Sequence, residues 1–385
     1  MSNRKPDVIV VGGGVVGLAV AWRLAQRGVR ITLLERGACG QESSWAAAGI
    51  LAPGNPNFHG PMSVMHLESL DRYPAFAAEL QEVSGIDVEY DRCGRIELCA
   101  TDQRYRMGLS EVRAAADRRT SEGQPALEML TLDEAREREP GIGCDADGAL
   151  LCRMSARIRN TRLLKALRKA CQRAGASIVE DCCVEGLVVE GERVSGVVTR
   201  DGRTQADRVV LCAGAWSSQL HPRLDKVGPV FPSKGQAVLL RMEKPPVNGI
   251  VKRRHCYLLA RRDGHVFLGS TDEPEAGFNK RSTTAAMSDL MSGALEMVPG
   301  VASASVVGMW AGLRPRTHDN RPMIGPVPDL EGLIAAYGHH KTGLVFAPLT
   351  PRIVCELVIG GRTDYDLSRC IPGRKSRSNS KRSKP

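Results

Sequence analysis

Residues 7–36 constrain this 385-residue chain more than any other stretch. Val8-Ile9-Val10-Val11 is a short apolar run of the kind that forms a buried parallel strand. Gly12-Gly13-Gly14-Val15-Val16-Gly17 follows at once and fits G-x-G-x-x-G. From Val15 to Gln26 apolar residues recur at helical spacing (Leu18, Ala21, Trp22, Ala25), and the pattern stops before Gly28. Ile31-Thr32-Leu33-Leu34 reads as a second strand, with Glu35 at its end. Each part has a mechanical task. Gly12 permits a tight turn, Gly14 lets the backbone approach a pyrophosphate, and Gly17 lets the helix lie close on the strand. The helix N-terminus offers N–H groups and a positive dipole end to phosphate. Glu35 can accept hydrogen bonds from ribose hydroxyls. A glycine-rich turn alone is common, but here strand, turn, helix, strand and acid fall in register. The expected ligand is an adenine dinucleotide with a ribose hydroxyl available, FAD or NAD.

The chain is long enough for two domains, and its 42% hydrophobic and 25% charged content is ordinary for a globular protein. The N-terminus is short and polar, and no window approaches 18 consecutive apolar residues, so a cytoplasmic protein without a membrane span is expected. Twelve cysteines are scattered without a C-x-x-C pair and are read as reduced thiols. Cys212 and Cys256 lie in strand-like runs, as buried small hydrophobes. No His/Cys/Asp spacing suggests a metal. The net charge of +10 is concentrated at the C-terminus, where Arg374, Lys375, Arg377, Lys381, Arg382 and Lys384 supply six charges with no acid. Residues 371–385 are therefore expected to be a disordered basic tail, without a dedicated nucleic-acid or membrane partner.

Between these ends the pattern is discontinuous. Helices are expected over Val64–Ser84, Arg104–Glu122, Thr131–Arg138, Leu163–Ala174 (closed by Gly175), Ser282–Met297 and Leu349–Ile359. Strands are expected within Ile86–Ala100, Ser177–Val179, Val184–Thr199, Arg208–Cys212, Phe231–Gly269, Ser303–Met309 and Leu333–Ala336. Loop residues dominate Pro53–Pro61. The run Val209 to Trp216 is a buried strand ending in a small-residue turn at Ala213-Gly214-Ala215, where such a chain rejoins its first sheet. No second G-x-G-x-x-G follows a strand, so a single tightly held cofactor, FAD, is favoured over exchangeable NAD.

From Asp7 to about Asp366 the chain resembles the D-amino-acid oxidase family of FAD-dependent amine oxidases, and within it the bacterial glycine oxidases of thiamine biosynthesis. Beyond the N-terminal fingerprint, the resemblance is carried by residues Ser43 to Ile50, Ser84 to Tyr90, and Arg159 to Leu164 with Thr161 where the family has proline. It continues in His255-Cys256-Tyr257, Gly269-Ser270-Thr271, Trp310-Ala311-Gly312-Leu313-Arg314-Pro315 and Gly338-His339-His340-Lys341-Thr342-Gly343, all in the family's order. It implies an α/β fold: a Rossmann-like FAD domain of the two-dinucleotide-binding type with a discontinuous α+β substrate domain built on antiparallel sheet. The expected boundaries are 1–85, 145–222 and 312–370 for the first, 86–144 and 223–311 for the second.

The resemblance also implies roles. Arg314 would hold a substrate carboxylate, and a guanidinium fork suits that task. Tyr257 would help orient the carboxylate, and Lys341 stands where the family often has arginine. His255 is a further candidate for the pocket entrance. Non-covalent FAD would be held by Gly12, Gly14, Val15, Val16, Gly17, Glu35, Arg36, Ser43, Ser44, Ala48, Gly49, Ile50, Val184 and Gly214, and by the loop His339, His340, Lys341, Thr342, Gly343, Leu344 and Val345. Asp272, which replaces an apolar residue, either faces the pocket or sits in a surface turn before Pro274. The implied reaction converts glycine, sarcosine or a small D-amino acid to its imine and 2-oxo acid. Oxygen would be reduced to hydrogen peroxide, the product would feed thiazole synthesis, and a homo-oligomer is expected. Two rival readings are a tRNA wobble-base-modifying FAD oxidase, favoured by the basic tail, and a dehydrogenase that uses a quinone acceptor.

Overall fold

The computed structural model describes residues 6–54 and 60–374. Residues 375–385 of the expected basic tail, and 55–59 of the loop Pro53–Pro61, lie outside the described residues. The described residues form two compact units: those within 6–43, 164–232 and 314–374, and those within 44–163 and 233–313. Residues 44–85 and 145–163, which the expected boundaries place with the FAD domain, cluster with the second unit.

The first unit is built on a six-stranded sheet. Its centre is β1 (Val8–Val11), paired in parallel with Arg208–Leu211 on one side and β2 (Ile31–Leu34) on the other. Leu333–Tyr337 and Ser177–Val179 extend it in parallel, and Met323–Pro326 closes one edge antiparallel. Every residue of β1 is buried, as a central parallel strand covered on both faces requires. One cover is α1 (Val15–Gln26), packed on the C-terminal helix Leu349–Gly360. The other is a meander of Val184–Glu190, Arg193–Thr199 and Gly202–Gln205, whose Leu187, Val194 and Val197 join Ile9, Val11 and Val209 in one core. The expected return of the chain through Arg208–Cys212 to the first sheet is observed in register, Val10 beside Val210.

The second unit carries an eight-stranded sheet in which Ile250–Arg253 pairs in parallel with Arg95–Leu98 and the other recorded pairs are antiparallel. Strand alternation sorts its side chains. Val238, Leu240, Leu258, Val266 and Leu268 enter a core with Leu290, Ala294 and Met297 of the helix Thr284–Met297. Ala237, Leu259, Phe267 and Tyr257 are on the opposite face.

Several elements differ from expectation. The expected helix Val64–Ser84 is two, Pro61–Asp71 and Tyr73–Ser84, because Pro74 stands in the first turn of the second and cannot donate to the preceding turn. Within Ile86–Ala100 only Arg95–Leu98 is strand. The charged helix is Asp102–Ala114, started earlier by Thr101, whose hydroxyl caps Arg104 N, and finished well before Glu122. The last long strand runs Ser305–Arg316, well past Met309. Arg374, assigned to the tail, is docked: its guanidinium donates to Asp319 at 2.7 and 3.0 Å. All twelve cysteines are unpaired thiols, with Cys212 and Cys256 buried. No helix of the described residues is long and apolar enough to cross a membrane.

Candidate active site

In the first unit the glycine turn has the shape that its spacing implies. Gly12 has φ +103°, and a Cβ there would lie 2.5 Å from the Cys212 carbonyl oxygen. A Cβ on Gly17 would fall 1.9 Å from Gly12 O, so α1 meets the turn with no room for a side chain. Gly13 is equally confined, since its Cβ would reach within 2.6 Å of Cys39 Sγ, a constraint that the motif spacing does not disclose. Gly14 is the extended N-cap of α1; no side chain caps the helix and its first turn holds no acid. The start of α1 therefore carries the positive end of the helix dipole with no acid in its first turn to offset it.

Glu35, at the end of β2, accepts from Gly13 N at 2.6 Å and from Gly37 N at 3.1 Å. Those bonds fix its carboxylate beside the turn. Arg36 is exposed, paired with Glu42, and its guanidinium lies 3.5 Å from the Trp216 ring centroid, so Trp216 is a neighbour that motif reading missed. Gly214 opens the 3-10 turn Gly214–Leu220 at φ +56°. Val184 is buried at the start of its strand, in the core shared with β1.

The segment after Gly338 is a turn, not an extended loop. His340–Thr342 form a 3-10 turn in which Thr342 N and Oγ1 both bond His339 O at 2.8 Å. His339 turns its ring inward, sharing a 3.0 Å hydrogen bond with Thr350 Oγ1 beside Phe346, and burial lowers its pKa to about 3. Its imidazole is therefore a neutral core group. Lys341 is exposed, Leu344 and Val345 are buried, and a Cβ on Gly343 would come within 4.0 Å of Val15, which places this turn against the start of α1.

In the second unit, residues 44–50 lie with Tyr257 on one face of the large sheet. Ala48, Ile50, Tyr257, Phe267 and Trp310 belong to one apolar cluster. Trp310 packs on Trp45 and Phe267, with centroids 5.1 and 5.6 Å away, and donates from Nε1 to Ala46 O at 3.1 Å. Tyr257 is half-buried and stacks on Phe267 at 6.2 Å. Tyr257 pairs with Gly269, and a Cβ there would come 2.5 Å from the Tyr257 hydroxyl, so glycine makes room for it. Gly49, at φ +82°, is held tightly: its Cβ would sit 2.0 Å from Ile158 O.

Arg314 is half-buried on the strand Ser305–Arg316, where alternation gives it the strand face of Trp310, opposite Met309 and the buried Leu313. Arg316 bonds Asn320 at 3.0 Å and Arg321 is within 4.0 Å of Asp319, so its two neighbouring arginines serve their own turn. His255 is exposed, just before the strand Cys256–Ala260, and bonds Asp289 of the helix Thr284–Met297 at 2.8 Å. Asp272 is exposed and accepts from Ser233 Oγ at 2.6 Å. Among the described residues no group of His, Cys, Asp and Glu could hold a metal.

Residues 7–357 match the family model described as FAD dependent oxidoreductase. The chain is 38% identical to a glycine oxidase of Pseudomonas aeruginosa over 97% of its own length and 99% of the relative's. It is 32% identical to a bifunctional protein ThiO/ThiG of a Synechocystis species, covering 96% of this chain and 54% of that protein. Its fold superposes on the crystal structure of glycine oxidase from Geobacillus kaustophilus with a TM-score of 0.91, at 30% identity, covering 97% of this chain and 100% of that one.

Proposed function

The chain belongs to the FAD dependent oxidoreductase family, and from that premise we propose that it oxidises glycine or another small amino acid, such as sarcosine or a small D-amino acid. The supporting observation is the joint presence of a sterically obligatory glycine turn beside Glu35 and an arginine at position 314 on the strand face of Trp310. Similarity to glycine oxidases along nearly the whole chain points the same way.

FAD, when bound, supplies the two-electron acceptor. The glycine turn and the N-terminus of α1 would take the pyrophosphate, and Glu35 the ribose hydroxyls through lone pairs not used by Gly13 and Gly37. Val15, Val16, Arg36, Ser43, Ser44, Ala48, Gly49, Ile50, Val184, Gly214 and the backbone of residues 339–345 complete the proposed cofactor set. Gly17 acts indirectly, by letting α1 approach. Arg314 would grip the substrate carboxylate through two parallel N–H donors, and Tyr257 would add a hydroxyl to the same group. Lys341 is proposed as a cation at the rim, without a fork. Positioning is the main contribution. The chain supplies no dedicated base in this reading, so the ammonium proton passes to solvent. The Cα–H bond then breaks with its electron pair, a C=N bond forms, and water converts the imine to a 2-oxo acid and ammonia, or methylamine where the substrate is sarcosine. Oxygen would recover the electrons as hydrogen peroxide. Supply of the imine to thiazole formation is the role that the family resemblance suggests.

The test is peroxide release and 2-oxo acid or glyoxylate formation by the purified holoenzyme over glycine, sarcosine and D-alanine. Turnover with a dye acceptor but not with oxygen would instead favour a dehydrogenase.

A further inference from the structure

Residues 44–49 are held by donors from their own unit at five carbonyls. Asn160 Nδ2 donates to Ser44 O at 2.9 Å and Trp45 O at 2.7 Å. Trp310 Nε1 donates to Ala46 O at 3.1 Å, Arg261 Nη2 to Ala48 O at 2.7 Å, and Ile158 N to Gly49 O at 2.8 Å. A helix end leaves its last carbonyls without intrahelical partners, and Ser43–Ala46 is a helix so short that outside donors must satisfy them. Asn160 and Trp310 do so with side chains.

Arg261 stands out within this set. It is 8% exposed, and among the described residues no carboxylate lies within ion-pair distance of it. Its Nη1 donates to Ile158 O at 3.3 Å, so one guanidinium joins the Ala48 and Ile158 carbonyls beside Gly49. A buried cation bonded only to carbonyls costs free energy that a neutral packing residue would not. Burial lowers its pKa to about 10, which leaves it charged at neutral pH.

Across a trans peptide, C=O and the following N–H point in opposite directions. Donors that hold the carbonyls of residues 44, 45, 46, 48 and 49 therefore also aim the amides of the next residues away from those donors. We propose that Arg261 and Asn160 are positioning residues for the flavin, orienting the peptide groups of residues 44–50 for contact with it. The inference rests on the reading that this segment lies at the cofactor.

The test is titration of apoprotein with FAD, followed by quenching of flavin fluorescence, for wild type, Arg261→Met, Asn160→Asp and Ser44→Ala. Arg261→Met keeps the stem and removes the donors; Asn160→Asp keeps the shape and places an acceptor against two carbonyls. Both should raise the Kd for FAD about tenfold or more, a change that circular dichroism of the apoprotein does not track. Arg261→Lys, which retains charge and one donor, should fall between, and guanidinium ion should restore part of the affinity of Arg261→Ala. If Arg261→Met does not fold, Arg261→Lys and Asn160→Asp carry the test. Wild-type FAD affinity in the Arg261 and Asn160 variants, with weakened binding in Ser44→Ala, would overturn the inference and leave the site reading intact. Wild-type affinity in all of them would remove the segment from the cofactor site altogether.

Discussion

Strand alternation, and not proximity in sequence, distinguishes Arg314, the proposed carboxylate anchor, from its neighbours Arg316 and Arg321, which are engaged with Asn320 and Asp319. Truncating one partner of a desolvated charge pair removes a few kcal/mol, so Arg314→Ala should lose about a hundredfold or more in kcat/KM while keeping bound FAD. Arg314→Lys should recover only part, because an ammonium lacks the fork. Steady-state kinetics with the flavin absorbance recorded on the same sample checks both. The tight packing at Gly12 and Gly17 and the place of Glu35 beside the turn were legible in the local motif, whereas the role proposed for Arg314 comes from the family resemblance. Local pattern could not disclose Gly13, Trp216 or Arg261, because the groups confining them, Cys39, Arg36 and the Ala48 carbonyl, are set by tertiary packing. The family resemblance names His339 as part of the cofactor loop, and the sequence does not disclose that its ring bonds Thr350 in the core.

The nucleotide-binding element is the most tightly determined piece. With only 1.9 Å between a Cβ on Gly17 and the Gly12 carbonyl, Gly17→Ala must push α1 off β1. The variant should be purified without yellow colour and with a lowered Tm; a fully flavinated Gly17→Ala would mean that the turn is looser than described. A different element tests the second unit. Leu132–Arg138 begins with a reciprocal cap: the Thr131 hydroxyl accepts from Glu134 N, and the Glu134 carboxylate accepts from Thr131 N at 2.7 Å. Thr131→Ala should cost about 1 kcal/mol by chemical denaturation, with no change in turnover. Long periodic elements were legible, among them α1, Thr284–Met297 and Leu349–Gly360. Helix breaks and strand lengths were not. Pro74 splits a run whose apolar pattern continues through it, and the strand through Arg314 includes a proline and two glycines that read as a terminus. The segment Ser43–Ile50 has too few residues for any periodicity, and side chains distant in sequence define its shape.

For the molecule as a whole, two buried histidines give stability a pH dependence whose sign is fixed. Burial lowers the pKa of His339 to about 3 and that of His66 to about 4, from an ordinary value near 6.5. The folded state therefore excludes protons that the unfolded chain accepts. Their contribution is complete above pH 6.5 and is lost as pH falls towards 4 and then 3, at about 1.4 kcal/mol per pH unit per histidine at its steepest. Thermal unfolding should show Tm dropping between pH 7.5 and 5, above the carboxylate range, and His339→Gln should flatten part of that slope. An unchanged Tm across the interval would mean that both rings reach solvent. The chain's contacts divide it at Ser43, Leu163, Pro232 and Leu313, whereas the boundaries that the family resemblance implies lie elsewhere. Those limits depend on which sheet each segment packs against, a tertiary property that composition does not carry.

The most direct test is anaerobic mixing of the holoenzyme with glycine, sarcosine or D-alanine while the flavin absorbance is followed. At least one of these amino acids should bleach the yellow band of the wild-type protein within a turnover, and Arg314→Ala, equally yellow at the start, should stay coloured. Bleaching at the same rate in both proteins, or in neither with any small amino acid, would refute the proposed oxidation at a substrate held by Arg314.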